Sequence, residues 1–349
     1  MSISKTRVLE MVQPSTSKSA SDNFGTVLVG DVGGTNARFA LYRYPLDAPN
    51  KGEVIDRETR GVCDYGAFDA AMAAYLASRQ LTGADLNGAS LAVASAVVGQ
   101  QVQFTNSPWR FSITEIQEQF GFRHLRVLND FEALGFSLDR LPSSSLSTIQ
   151  VGRGSERGTE VVLGPGTGLG VAVRHCDTGI IMPSEGGHVS FAPTDQDERE
   201  LLDFISQDFA RVSYERILSG PGIERLYAFQ CQRLGRHIEG NHVATAADIV
   251  HFASTGQDAA ADWAIDRFLR ILGHFAGDAV LMFGGFRGVF LAGGILPRLP
   301  DRLLLGGFME RFTEKGRFSP LMREIPVSLI TDDAASLRGA AARLLAQSC

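Results

Sequence analysis

The sequence predicts an α/β protein built of two similar halves that face each other. Three observations carry this. An apolar strand, a glycine-rich polar turn and a second apolar strand follow one another at 26–44, and the same unit returns at 159–176. A mostly helical region then runs from Asp195 to Phe283. With 349 residues, 44% of them hydrophobic, the chain is long enough for two to three domains and sizeable cores.

Taken in order, "TVLVGDV" (26–32) and "ARFALYRY" (37–44) read as strands joined by the first turn, with Phe39, Leu41 and later Tyr44 interleaved with other residues of the second. "FDAAMAAYLASR" (68–79) reads as a helix and "GASLAVAS" (88–95) as a buried strand, followed by a polar, hairpin-like stretch at 99–106. A helix starts at "SITEIQEQF", where Ser112 and Glu115 make a capping-box pattern. "HLRVLND" (124–130) is a strand with the helix "FEALGFSL" directly after it, and the Ser-rich "LPSSSLS" (141–147) reads as a linker or exposed loop. "TEVVLGPGTGLGVAVRHC" (159–176) is an internal echo of the opening unit and not a repeat of fixed period.

"DQDERELLDFISQDFA" carries acidic residues in its first turn, as a helix N-terminus prefers. In 260–283 the residues Trp263, Ile265, Phe268, Leu269, Leu272, Phe275 and Ala276 recur near helical spacing and form a core stripe. "GVFLAGGI" (288–295) is a strand running into a third glycine turn, "IPVSLITD" (325–332) a late strand and "ASLRGAAARLLAQ" a terminal helix.

Composition excludes several functions. A net charge of −6 disfavours a nucleic-acid or anionic-membrane surface. No apolar run reaches the roughly 18 to 20 residues that span a bilayer. Residues 1–25 are Ser/Thr/Lys-rich without an apolar segment, so they read as a poorly ordered extension and not as a secretion signal. Cys63, Cys176, Cys231 and Cys349 are far apart and form no CxxC pair, which fits reduced thiols in a cytoplasmic protein.

The three glycine turns share one design: "DVGGTNAR" (31–38), "GPGTGLG" (164–170) and "AGGILPR" (292–298). A plain hairpin turn needs only Asn-Gly or Asp-Gly. Here Gly33 and Gly34, then Gly166 and Gly168, then Gly293 and Gly294 leave the backbone bare, so N–H groups can converge on an oxygen-rich ligand. Thr35, Asn36 and Thr167 add short polar side chains. The first two turns contain no lysine, so a polyanion bound there relies on backbone N–H groups and a metal ion. Tight turning alone explains one such loop; three at strand ends favour ligand binding. Other nucleotide motifs fail: no G-K-S or G-K-T exists, and a G-x-G-x-x-G frame ends on Leu169 or Val171.

"LVGDVGGTNARFAL", "VLNDFEALG", "GPGTGLGVA", "SEGGHVSFAP", "ERILSGPG" and "FLAGGILPR" resemble, in order and approximate spacing, the bacterial glucokinase family. The resemblance covers nearly all of 26–349 and implies the two-domain sugar kinase fold of the actin-like ATPases, related to ribonuclease H. It implies a small domain of 26–140 plus 331–349, a large domain of 141–330 and a cleft between them. It implies an ATP-dependent kinase that makes glucose 6-phosphate, with Mg²⁺, in a cytoplasmic homodimer. The cysteine-rich zinc motif of the repressor/sugar-kinase branch is absent. "AVASAVVG" (92–99) departs from the family, which often has a proline in that turn.

The remaining candidates combine residue chemistry with that resemblance. Asn129 and Asp130 stand at a strand's C-terminal edge, where α/β proteins present functional groups; helix N-capping suits the same pair. The resemblance makes Asp130 the catalytic base and Asn129 a sugar-hydroxyl ligand. Glu185 and His188, around two glycines, suit a vicinal diol better than a zinc ion, for which the helix and further ligands are missing. By resemblance Glu215 reaches the anomeric hydroxyl, although a solvated residue paired with Arg211 is the reading without it. Asn106, in the loop "TNSPW", is a further sugar-side candidate, whereas Trp109 suits buried core equally well. With ATP present, Asp31 coordinates Mg²⁺ through water, since Mg²⁺ keeps waters and uses few carboxylates; Arg38 supports the turn through an ion pair. The turn at Gly293 and Gly294 resembles the adenosine contact.

Two other functions fit the same residues. One is a kinase for mannose, fructose or an N-acetylhexosamine, which a sugar panel separates from the glucose enzyme. The other is a sugar-sensing protein without activity, disfavoured because Asp130 is retained and no DNA-binding module is present.

Overall fold

In the computed structural model, which describes residues 23–104, 107–236 and 244–346, the chain builds two mixed sheets and a small hairpin. The first half comprises β1 (Phe24–Val32), β2 (Asn36–Pro45), β3 (Glu53–Gly61), α1 (Phe68–Ser78), β4 (Ala89–Val93), β5 (Gln101–Gln103), β6 (Arg110–Ser112), α2 (Ile113–Phe120), β7 (Leu125–Asn129) and α3 (Asp130–Ser137). Then follow β8 (Leu146–Gln150), β9 (Thr159–Pro165), β10 (Leu169–His175), β11 (Ile180–Ser184), α4 (Gln196–Ser206), α5 (Gly220–Arg233), α6 (Ala246–Thr255) and α7 (Ala259–Phe283). The chain ends with β12 (Gly288–Leu291), α8 (Pro300–Leu305), α9 (Gly307–Thr313), α10 (Ser319–Met322), β13 (Val327–Ile330) and α11 (Ala335–Leu345).

The two sheets follow one plan. The first has the order β3-β2-β1-β4-β7 and the second β11-β10-β9-β12-β13-β8. In each, an antiparallel strand–turn–strand pair is extended outward by a third antiparallel strand. On the other side two strands run parallel to the first. The echo read in the sequence is the visible part of this repeated sheet.

The first sheet is covered on both faces, so β2 is buried almost continuously where simple alternation was expected. Phe39 and Leu41 pack with Phe68, Met72 and Tyr75 of α1. Ala40, Tyr42 and Tyr44 face α11 at Leu337, Ala341 and Leu344. Tyr44 therefore continues the opposite face from Phe39, as the two-residue period of a strand requires. The largest core lies on the second sheet, where Phe268, Leu272 and Phe275 of α7 join residues of α5, α6 and α9. Trp109 is buried, and its indole N–H donates to the Tyr65 carbonyl.

α3 and α11 exchange partners. α3 follows the first sheet, yet its Phe131 packs with Val162, Ala172 and Ile181 of the second. α11 follows the second sheet, yet packs on Val27 and Val29 of the first. They meet at Gly339, where a Cβ would stand 1.7 Å from the Ala133 carbonyl oxygen, so the helices can approach this closely only with glycine there. This exchange brings the corners 129–130 and 331–335 to the seam between the sheets.

Several local expectations need correction. β1 begins at Phe24, where Phe24 and Gly25 pair with Pro45 and Tyr44, so the extension placed at 1–25 is shorter; residues 1–22 lie outside the described part. The linker at 141–147 ends at Ser145, because Leu146 and Ser147 pair with Ile330 and Leu329 in β8. At Ser112 half of the capping box forms: its hydroxyl accepts from the Glu115 N–H, without a return bond from the Glu115 carboxylate.

Candidate active site

The C-terminal ends of β1, β4, β7, β9, β12 and β13 open into one cleft of about 620 Å³ along the seam. Every site residue expected from the sequence lines it except Asn106, which lies outside the described residues.

In the first turn the Gly33 N–H donates to the Asn36 carbonyl at 2.9 Å. Asp31 sits opposite Arg38 in the β1–β2 ladder and forms an ion pair with it at 3.0 Å. In the second, the Gly166 N–H donates to the Gly168 carbonyl at 2.8 Å, and the Gly166 carbonyl accepts from Gly220, which opens α5. In the third, Gly293 has φ +92°, and a Cβ there would stand 2.3 Å from the Pro165 carbonyl oxygen. Only glycine meets both demands, and it seats the third turn against the second. Among the described residues, the N–H groups of Gly34, Thr35, Thr167, Gly168, Gly293 and Gly294 have no protein acceptor. Such converging free donors suit an anionic oxygen ligand.

At the end of β7, Asn129 caps α3: its side-chain oxygen accepts from the Phe131 and Glu132 N–H groups at 2.9 and 3.2 Å. Its amide NH₂ donates one hydrogen to the Ser95 carbonyl at 3.4 Å, which leaves the other for a ligand. Capping by Asn129 therefore does not preclude a ligand contact by the same side chain. Asp130 is the first residue of α3, and one carboxylate oxygen accepts from the Phe131 N–H at 3.0 Å. Burial, and then the negative charges of Asp31 and Glu185, push its pKa up to about 7. A carboxyl group tuned to that range suits a general base at neutral pH.

Glu185, His188 and Glu215 form one polar cluster. The His188 Nε2 lies 3.8 Å from the Glu185 carboxylate and 3.7 Å from that of Glu215. Glu215 also accepts from the Leu169 N–H at 3.0 Å, which ties it to the second turn. Arg211 donates to the His188 carbonyl at 2.6 Å, so it steadies the loop and is not the partner of Glu215.

Sequence reasoning missed Arg298, the segment Thr331–Asp332–Asp333 and Ser336, which also line the cleft. The signal was present in the internal symmetry. "LITDDAASLRG" leads from β13 into α11 as "VLNDFEALG" leads from β7 into α3: apolar strand, polar acidic corner, helix.

A family model described as Glucokinase matches residues 28–347. The glucokinase of Chromohalobacter salexigens is 40% identical over 318 residues, spanning 90% of this chain and 95% of that one. The crystal structure of a glucokinase from an Antarctic psychrotroph superposes with a TM-score of 0.78 at 36% identity, covering 92% of this chain and 99% of that chain. A ROK family glucokinase from Streptomyces griseus, solved with glucose and AMPPNP, shares the fold at a TM-score of 0.61 and 17% identity, over 91% and 98% of the two chains. The two mixed sheets are those of the actin-like sugar kinases.

Proposed function

This chain belongs to the glucokinase family, and from that premise we propose how its cleft carries out the family's reaction, ATP-dependent phosphorylation of glucose. Glucose lies against Asn129, Glu185, His188 and Glu215, with Asn106 as a further contact, and its 6-hydroxyl points to Asp130. The polyphosphate of ATP lies between Gly33, Gly34, Thr35 and Asn36 on one side and Gly166, Thr167 and Gly168 on the other. Adenosine rests on Gly293 and Gly294. Asp130 takes the hydroxyl proton as the sugar oxygen bonds to the γ-phosphorus; the bond to the β–γ bridging oxygen breaks and ADP leaves. The free amides of the turns stabilise charge on the transferring group, and the rest is alignment.

Mg²⁺ fits the donor set. One oxygen of Asp31 is engaged by Arg38, the other is spare, and its charge acts on Asp130, which follows β7 of the same sheet. Among the described residues no three His, Cys, Asp or Glu side chains form a direct cage. A cation that keeps its waters and takes phosphate oxygens needs none. When bound, it neutralises polyphosphate charge, and Asp31 holds it through water.

The domain division follows the same reading: 26–140 with 331–349 as one lobe, 141–330 as the other. A cytoplasmic homodimer completes it. Among the described residues no helix is long and apolar enough to cross a membrane.

The observation that supports this reading is Asp130, a carboxyl group at the seam that shares its cleft with free-amide turns and with the cluster of Glu185, His188 and Glu215. Asp130→Ala is expected to bind glucose in calorimetry while turnover in an ADP-release assay collapses. Near-normal turnover would remove Asp130 from the base role. In the same assay the wild-type chain is expected to favour glucose over mannose, fructose and N-acetylhexosamines; another hexose in the lead would reassign the substrate.

A further inference from the structure

The N-terminus of α11 opens on the cleft without a side-chain cap. The Ala335 N–H reaches the Asp332 carbonyl, but among the described residues the N–H groups of Ser336 and Leu337 have no acceptor. Ser336 lines the cleft with only 9% of its surface exposed, and its hydroxyl makes no hydrogen bond within the described protein. The hydroxyl opens on the cleft and is left free to meet a ligand oxygen there.

A cation lines the same cleft. Arg298 ends the turn after Gly293 and Gly294, and that turn packs against β13, whose chain continues into α11. Of the cleft's two arginines, Arg38 is held by Asp31, whereas Arg298 is exposed and has no partner among the described residues. The acidic residues of the corner are already neutralised: Asp332 pairs with Arg338 at 2.8 Å and Asp333 with Arg57 at 2.6 Å. Positive helix end, free amides, free hydroxyl and free guanidinium together describe a seat for an oxyanion.

We propose that Ser336, the first amides of α11 and Arg298 form a further phosphate seat, which holds the nucleotide polyphosphate in addition to the glycine turns. This rests on the reading that ATP is the phosphoryl donor. Both lobes would then grip one ligand, Arg298 from the second sheet and Ser336 from the helix packed on the first.

The test compares the full-length wild-type chain with Arg298→Ala, Ser336→Ala and Ser336→Asp by calorimetry with ADP, adenosine and glucose 6-phosphate, and by steady-state kinetics at saturating glucose. Alanine is a better helix former than serine, so Ser336→Ala should fold, and a melting curve checks each variant. Expected are a roughly tenfold weaker ADP Kd and higher ATP KM for Arg298→Ala, consistent with loss of a charge-assisted contact. A smaller loss is expected for Ser336→Ala and a larger one for Ser336→Asp, with adenosine binding and glucose KM unchanged. ADP Kd within twofold of wild type in Arg298→Ala and Ser336→Asp would overturn the seat. So would weakened glucose 6-phosphate with unchanged ADP, which would assign it to the sugar phosphate. A wild-type chain that neither binds ADP nor phosphorylates glucose would sink the kinase reading itself, and the seat with it.

Discussion

At Asp130 the fold keeps a carboxyl group in a place where ionisation is opposed by burial and by the charges of Asp31 and Glu185. Its pKa of about 7 lies above the value near 3.9 of an unfolded chain. A raised acid pKa contributes stability that is fully present below about pH 4 and is lost as pH climbs to about 7. Asp130→Asn, which cannot ionise, is therefore expected to melt at a higher temperature than the wild type at pH 8. The gain is on the order of 2–4 kcal/mol, at about 1.4 kcal/mol per pKa unit. Below pH 4 the two curves should converge, and a constant difference across pH would show that Asp130 is not held against ionisation. The motif around Asp130 was legible because both its neighbours and its place after a strand are local. That Asn129 would divide its side chain, oxygen to the helix cap and NH₂ toward the cleft, was not, since it depends on how β7 enters α3.

Among elements, the crossing of α3 and α11 has the least tolerance. Gly339→Ala would drive a methyl group into the Ala133 carbonyl, and Gly339 lies amid Leu337, Ala340 and Ala341, all without exposed surface. Although alanine favours a helix over glycine by up to about 1 kcal/mol, overpacking of this kind costs about 1–3 kcal/mol or more. The variant is expected to melt lower, with a larger loss for Gly339→Val; an unchanged melting temperature would mean the helices can separate freely. The sequence gives the helix around Gly339 but no hint of its partner, because α3 lies some two hundred residues away in the other half of the chain. The strands it left unread, β3, β6, β8 and β11, are all at sheet edges or in the two-stranded hairpin. Their residues do not advertise a buried face: β3 reads EVIDRETRG and β11 carries Pro183. Edge strands are commonly charged or broken by proline, which guards against further pairing and erases the alternation used to find them. β3 is held instead by ion pairs, Arg79 with Asp56 at 2.7 Å and with Glu58 at 2.5 Å.

For the whole molecule, the exchanged helices join the halves to each other. Each is pinned to the sheet it visits. Asp139, just after α3, pairs with Arg174 of β10 at 2.7 Å, and Asp333, just before α11, pairs with Arg57 of β3 at 2.6 Å. The free-amide turns sit on opposite sides of the seam, so closure of the halves narrows the gap between them. Narrowing matters chemically: water in an open cleft competes with the sugar hydroxyl for the γ-phosphoryl group. With glucose held as proposed, between Asn129 on one side and Glu185, His188 and Glu215 on the other, the sugar is the ligand that draws the halves together. Small-angle scattering is therefore expected to give a smaller radius of gyration at saturating glucose than without sugar. Phosphate release from ATP alone is expected to be slow beside sugar phosphorylation. An unchanged radius with calorimetrically saturated glucose, together with rapid hydrolysis of ATP alone, would mean that the halves do not close and that water exclusion is not how this cleft directs the transfer.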